Sequence, residues 1–197
     1  MRKVAAAISL VLFAAVSATG ASDRGASAQA FIRVYRVLQY PRCMNCHPAG
    51  DHPLHGDDSH PHSLRVQRGV DGRGIPGARC IKCHQAANQK GEHTPPGAPH
   101  PASANMPSGA PRWHLPEARM PLVFQGQTPA QLCRQLLNPK LNAGLRPAAL
   151  IKHVEHDPLV NWAWDPGEGR TTPPGTHAQF VEAVREWIAA GPACPAE

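Results

Sequence analysis

The chain has 197 residues and a formal charge of +6 at pH 7, with 22 prolines and only 5% aromatic residues. The positive charge is not gathered into a Lys/Arg-rich run and is not interleaved with aromatic residues, so composition argues against nucleic-acid binding. The length is that of a small protein with one compact domain.

The first thirty residues are typical of a secretory signal peptide. Arg2 and Lys3 precede an apolar run from residue 4 to 18, and small residues follow it. Candidate cleavage sites end at Ala21, Ala28 and Ala30, so we expect cleavage between residues 21 and 30. The alternative is an uncleaved membrane anchor, but the run is shorter than the about 20 residues that a span needs. We therefore expect a periplasmic protein with no stable membrane span, and a single domain over residues 31–197.

A helix is predicted over residues 28–39, because Phe31, Val34, Tyr35 and Leu38 recur with helical spacing. Pro41 should end this helix just before the first cysteine motif.

The pentapeptide Cys-x-x-Cys-His occurs twice, at residues 43–47 and 80–84. This motif is typical of covalent attachment of haem c. Two cysteine sulfurs can form thioethers to the haem, and the histidine can serve as proximal ligand of the iron. The predicted attachment residues are Cys43, Cys46 and His47 in the first motif, and Cys80, Cys83 and His84 in the second.

Two other interpretations of the cysteine pairs are a zinc site and structural disulfides. The 33 residues between Cys46 and Cys80 exceed the usual zinc-ribbon spacing. Neither alternative requires a histidine directly after both pairs. We therefore predict two haem c groups, close together in one fold. They would supply the core bulk that this chain lacks, so the apo chain should be poorly ordered.

Each iron needs a distal ligand or an open site. The segments 48–77 and 94–121 lack helical or strand periodicity, and are predicted to be loops around the haems. They carry the distal candidates, which are His62 for one haem and His114 for the other, with Met120 and Met106 as further choices. The histidines between residues 47 and 62 also fit a surface metal-binding tract.

Three helices are predicted in the C-terminal part, beginning at capping-box or proline signals at Thr128, Pro147 and Thr176. Trp162 and Trp164 fall in a turn between the last two helices. No strand pattern stands out, so the predicted fold is mainly α, with cytochrome c-like short helices and long Pro/Gly-rich loops around two haems.

Cys133 and Cys194 remain after haem attachment. In an oxidising compartment two spare cysteines usually pair, so we predict a disulfide between them. The alternative is two free thiols.

The paired motifs resemble those of small exported dihaem cytochromes c. Residues 43–51 and the Trp-His-Leu-Pro run at 113–116 are also similar to a cytochrome-like subunit of isoquinoline 1-oxidoreductase. This resemblance implies a non-catalytic electron-transfer protein whose redox partner is a dehydrogenase or another cytochrome. The alternatives are a small dihaem peroxidase and a haem-based ligand sensor, both with an open iron site.

Overall fold

The computed structural model describes residues 7–85, 87–88, 90, 94–97 and 113–197. Within these ranges the chain is partly helical, with a few short strands and long connecting loops. The helices are α1 Ala7–Leu38, α2 Pro41–Met44, α3 Pro129–Leu137, α4 Pro147–His156, α5 Pro158–Trp162 and α6 His177–Ala189. Among the described residues, no helix has the length and apolar character that a bilayer crossing requires.

Two short hairpins lie in the segment that we predicted to be loop. Strands β1 Leu54–His55 and β2 His60–Pro61 pair antiparallel, as do β3 Gly74–Ile75 and β4 Ala78–Arg79. Each strand has only two residues, which is too short for an alternating pattern to be visible in the sequence. The expectation of no strand is therefore corrected.

Of the four C-terminal helices, α3, α4 and α6 begin at the predicted signals. The fourth, α5, was not predicted, and Trp162, which we expected in a turn, is its last residue. Thr128 accepts a hydrogen bond from the Gln131 backbone N–H, and the Gln131 side chain accepts one from the Thr128 N–H. Thr176 and Gln179 repeat this arrangement at the start of α6. Both boxes satisfy backbone N–H groups that a helix start leaves without partners.

The main core lies between α1, α3, α4 and α6. Phe31 of α1 packs against Trp187 of α6, with ring centroids 4.8 Å apart, and neither side chain is exposed. The predicted apolar face of residues 28–39 therefore covers α6. The other buried members of this core include Val34, Leu132, Leu136, Leu150, Val154, Phe180, Val181 and Val184.

The C-terminal tail is fastened to this core at two points. Cys133 and Cys194 form the predicted disulfide, with an S–S distance of 2.04 Å. Buried Ser27 donates to the Trp187 carbonyl at 2.8 Å and accepts from the Ala193 N–H at 3.0 Å. Ser27 thus joins α1 to both the end of α6 and the tail.

Candidate functional site

The first cysteine motif follows α1 directly. Pro41 occupies the first position of α2, which ends at Met44, and the chain continues as turns. Cys46 N–H donates to the Cys43 carbonyl at 3.2 Å and His47 N–H donates to the Met44 carbonyl at 3.0 Å. These turns keep the two thiols and the imidazole of the motif together.

The His47 ring is held by residues 122–124, which are distant from it in the sequence. Its Nδ1 donates to the Leu122 carbonyl oxygen at 2.7 Å, and its ring stacks on Phe124 at a centroid distance of 3.8 Å. Burial lowers the pKa of His47 to about 4, although the Leu122 hydrogen bond opposes this shift. The ring is therefore neutral at pH 7, with its proton on Nδ1 and the Nε2 lone pair available.

The second motif repeats this arrangement with different partners. A 3₁₀ turn, Cys80–Lys82, carries the first cysteine, and His84 N–H donates to the Cys80 carbonyl at 2.9 Å. His84 Nδ1 donates to the Pro96 carbonyl oxygen at 2.7 Å, and its ring lies 4.5 Å from Trp113. Burial lowers the pKa of His84. The sequence also predicts a short helix opened by this motif, from about Ala78 to Asn88. In the structure, Ala78 and Arg79 form β4 instead, and the helical part is the 3₁₀ turn.

Both motif histidines thus meet the requirement for a metal-ligating imidazole. Such a ring donates its other N–H to a carbonyl or carboxylate, which sets the tautomer and the direction of the free nitrogen. The two acceptors, Leu122 and Pro96, lie far along the chain from their histidines. Leu122 adopts φ +41°, in the left-handed region that a bulky residue rarely occupies.

Four cysteine thiols are free, and all belong to the two motifs. Burial raises the pKa of Cys43 to about 12 and that of Cys46 to about 11, whereas Cys83 is exposed. The charge of Cys80 adds to the rise at Cys46, so the two motifs lie close enough to interact electrostatically. Across the described ranges, no group of three or more His, Cys, Asp or Glu side chains is arranged to bind a metal ion.

The distal candidates fall in different surroundings. The ring of His62 is 6.2 Å from the ring of His84. His114 is exposed, and its charge contributes to the lowered pKa of His47. Met120, six residues after His114, is partly buried in a turn. Met106 lies outside the described residues.

Several hydrogen bonds around the second motif were not predicted from the sequence. Asn88 Oδ1 accepts from the Gly97 N–H at 2.9 Å and from Trp162 Nε1 at 3.3 Å. Arg170 donates to the Thr94 carbonyl. These contacts anchor the segment whose Pro96 carbonyl orients His84. No sequence signal marks them, because they join loops without periodicity.

Two buried arginines connect the loops near the first motif. Arg68 is 1% exposed and donates to the carbonyls of Pro116 and Gly50 at 2.8 and 2.9 Å. Arg42, between the helix start and Cys43, pairs with Asp57 and donates to the Thr171 carbonyl at 2.8 Å. Such buried guanidinium groups fix the loops through several backbone oxygens at once.

Beside each motif, one buried polar atom lacks a hydrogen-bond partner among the described residues. The Nε1 of Trp113, which packs on His84, and the Oδ1 of Asn45, inside the first motif, are buried without a partner among the described residues. A buried polar atom of this kind is available to hydrogen-bond a bound group or an ordered water. Free thiols, neutral imidazoles with an open Nε2, and an indole donor together fit haem c with its carboxylate groups.

Comparison with known proteins adds no relative: no family model, no curated protein and no solved structure matches this chain.

Proposed function

We propose that this protein is an exported dihaem c-type cytochrome that transfers electrons. Cys43 and Cys46 would hold one haem, with His47 as proximal ligand. Cys80 and Cys83 would hold the other, with His84 as proximal ligand. When bound, haem supplies one-electron redox chemistry, whose potential the protein tunes through axial ligands and burial.

The observation that carries this proposal is the duplicated orientation of the two motif histidines. Each imidazole donates Nδ1–H to a backbone carbonyl at 2.7 Å, and each belongs to a complete Cys-x-x-Cys-His motif. Disulfides would leave these histidines without a role. A zinc site built from both cysteine pairs would not need two separately oriented imidazoles.

The electron-transfer role is favoured by the side chains around the histidines. Phe124 packs on His47 and Trp113 packs on His84. The distal candidate His62 lies 6.2 Å from His84, and the charge of His114 lowers the pKa of His47. We infer that the partner is a periplasmic dehydrogenase or another cytochrome, with this chain as the electron-accepting subunit. The alternative is a small dihaem peroxidase or a ligand sensor, either of which needs an open iron site.

Intact mass and redox spectroscopy of the protein, expressed with a haem-maturation system, test the proposal. We expect a mass two haems above the processed chain, two low-spin haems, reversible one-electron reduction of both, and negligible peroxide turnover. Cys46→Ala and Cys83→Ala should each weaken attachment of one haem and leave the other.

A mass that shows zinc or no adduct would refute the haem proposal. A high-spin ferrous haem that binds carbon monoxide, with peroxide turnover on the order of 10 per second, would replace the carrier by a peroxidase. Carbon monoxide binding without turnover would favour the sensor.

A further inference from the structure

The rings of His62 and His84 lie near each other without stacking face to face. Their centroids are 6.2 Å apart and their planes are inclined by 61°, an edge-on arrangement. The distance falls within the about 4.5–7 Å of edge-to-face ring pairs. The stacked rings of His47 and Phe124, by contrast, are 3.8 Å apart.

This separation matches two imidazoles on opposite sides of one metal ion. A metal–imidazole nitrogen bond is about 2.0–2.1 Å long, and a ring centre lies about 1.1 Å behind its own nitrogen. Two such imidazoles therefore have centroids about 6.2–6.4 Å apart.

The tautomers of both rings agree with this interpretation. His62 Nδ1 donates to the Ser63 carbonyl oxygen at 2.7 Å, just as His84 Nδ1 donates to Pro96. The His62 backbone N–H donates to the Pro53 carbonyl at 3.0 Å, which fixes the residue at the end of β2. Both rings thus keep Nε2 available for a metal.

The backbone beyond His62 is held in an unfavourable conformation. Leu64 and Arg65, neither of them glycine, have φ values of +63° and +49°. Such conformations persist only where the surroundings impose them. This strained turn directly follows the residue whose carbonyl orients His62.

One neighbouring histidine also contacts His62. The His55 ring lies 5.0 Å from the His62 ring and 3.9 Å from the His60 ring. His60 is paired with Asp58, with its Nδ1 2.5 Å from Asp58 Oδ1. His60 lies in β2, directly before Pro61 and His62, and therefore provides the matched control, whereas His55→Ala removes packing on His62 and leaves its imidazole in place.

We propose that His62 is the distal axial ligand of the iron whose proximal ligand is His84. The loop after the first motif then completes the site of the second motif, and the two halves of the site depend on each other. This inference rests on the proposed dihaem function, and it assigns His62 to one particular haem.

The test uses the intact holoprotein and its His62→Ala, His62→Met, His55→Ala and His60→Ala variants. Optical and paramagnetic resonance spectra report the spin state of each haem, and a redox titration reports the potentials. His62→Ala should convert one of the two haems to high spin. His62→Met should keep it low spin and raise its potential. His55→Ala and His60→Ala should leave both haems low spin.

Paramagnetic NMR identifies the affected haem through neighbouring rings. In His62→Ala, the haem that has become high spin should show contacts to Trp113, which packs on His84. Contacts to Phe124, which packs on His47, would assign it to the first motif.

Two unchanged low-spin haems in His62→Ala would overturn the assignment, as would conversion of the first-motif haem or the same conversion in His60→Ala. In each of those cases the mass and redox results still decide the dihaem proposal separately. If the unmodified protein has no haem, the proposed function fails before the ligand is addressed.

Discussion

At the scale of single residues, the backbone of distant loops sets the chemistry of the motif histidines. Carbonyls of Leu122 and Pro96 accept from His47 and His84, and aromatic rings cover both imidazoles. A ring bound at one nitrogen and packed on one face has little freedom to rotate. The proximal nitrogens are therefore oriented before any ligand is bound.

Phe124 is the side chain that most directly restrains His47, and Phe124→Ala should affect both stability and the first haem. Truncation of a buried phenylalanine typically costs about 3–5 kcal/mol. We expect lower stability in denaturant titrations and a broadened or shifted spectrum for one haem. Phe124→Leu, which keeps much of the apolar volume, should recover stability better than it recovers the spectrum. Wild-type spectra for both haems in Phe124→Ala would show that the stacking does not orient His47.

The sequence allowed the six motif residues to be predicted, but not the groups that orient them. Cys43, Cys46 and His47 belong to one short pattern whose chemistry is local. The contacts of His47 with Leu122 and Phe124 span more than seventy residues. No periodicity or spacing in a proline-rich loop encodes such contacts, because they arise only when the loops pack.

At the scale of elements, the helices were predictable where capping chemistry and apolar spacing agree. Thr128 and Thr176 begin α3 and α6 as predicted, and the face of α1 that carries Phe31 and Val34 is buried. The hairpins of β1–β2 and β3–β4 were not predictable, because each strand has two residues. Helix periodicity needs several turns to be visible, and these strands offer no comparable length.

The capping box of α6 should stabilise the fold without affecting the haems. Thr176→Ala removes the hydroxyl acceptor for the Gln179 N–H, and loss of such a cap typically costs about 1 kcal/mol. We expect that loss in urea titrations, with unchanged haem spectra, whereas Thr176→Ser should retain most of the stability. Haem spectra of Thr176→Ala that differ from those of the unmodified protein would indicate that α6 and the cysteine motifs are coupled.

The contacts of α1 bear on where the chain would be cut if it is exported as proposed. Ser27 is 1% exposed and makes two buried hydrogen bonds, and Ala30 is also buried. Cleavage after Ala28 or Ala30 would remove Ser27 and leave the Ala193 N–H without its acceptor. We therefore expect cleavage after Ala21, which N-terminal sequencing and intact mass of the periplasmic protein would check. A mature chain that begins at residue 29 or 31 would contradict this expectation.

At the scale of the whole molecule, the two motifs have different surroundings. The first motif packs on the helix core, to which Phe124 belongs and against which Cys43 lies. The second motif lies beside a smaller apolar cluster of Trp113 and Trp162, which contacts Cys80. The disulfide belongs to the helix core, where it joins α3 to the tail after α6.

Removal of the disulfide should therefore lower stability more than it changes redox behaviour. A bond that closes a sequence separation of 61 residues typically contributes about 2–4 kcal/mol. We expect the Cys133→Ala/Cys194→Ala double variant to lose stability of that order in guanidinium titrations while keeping both haem potentials. Thiol labelling of the unmodified holoprotein without reductant should modify neither cysteine. Labelling of both would show that the pair is reduced.

The surroundings of the first motif bear on the order of maturation under the proposed dihaem function. Six cysteines would then be sorted into one disulfide and four thioether bonds. Cys43 and Cys46 are partly buried, and their raised pKa values leave little thiolate to react at neutral pH. Such thiols resist mispairing with Cys133 or Cys194, and they would also react slowly with an attachment enzyme. Under that proposal, we expect haem attachment at the first motif to precede the docking of the 122–124 segment onto His47.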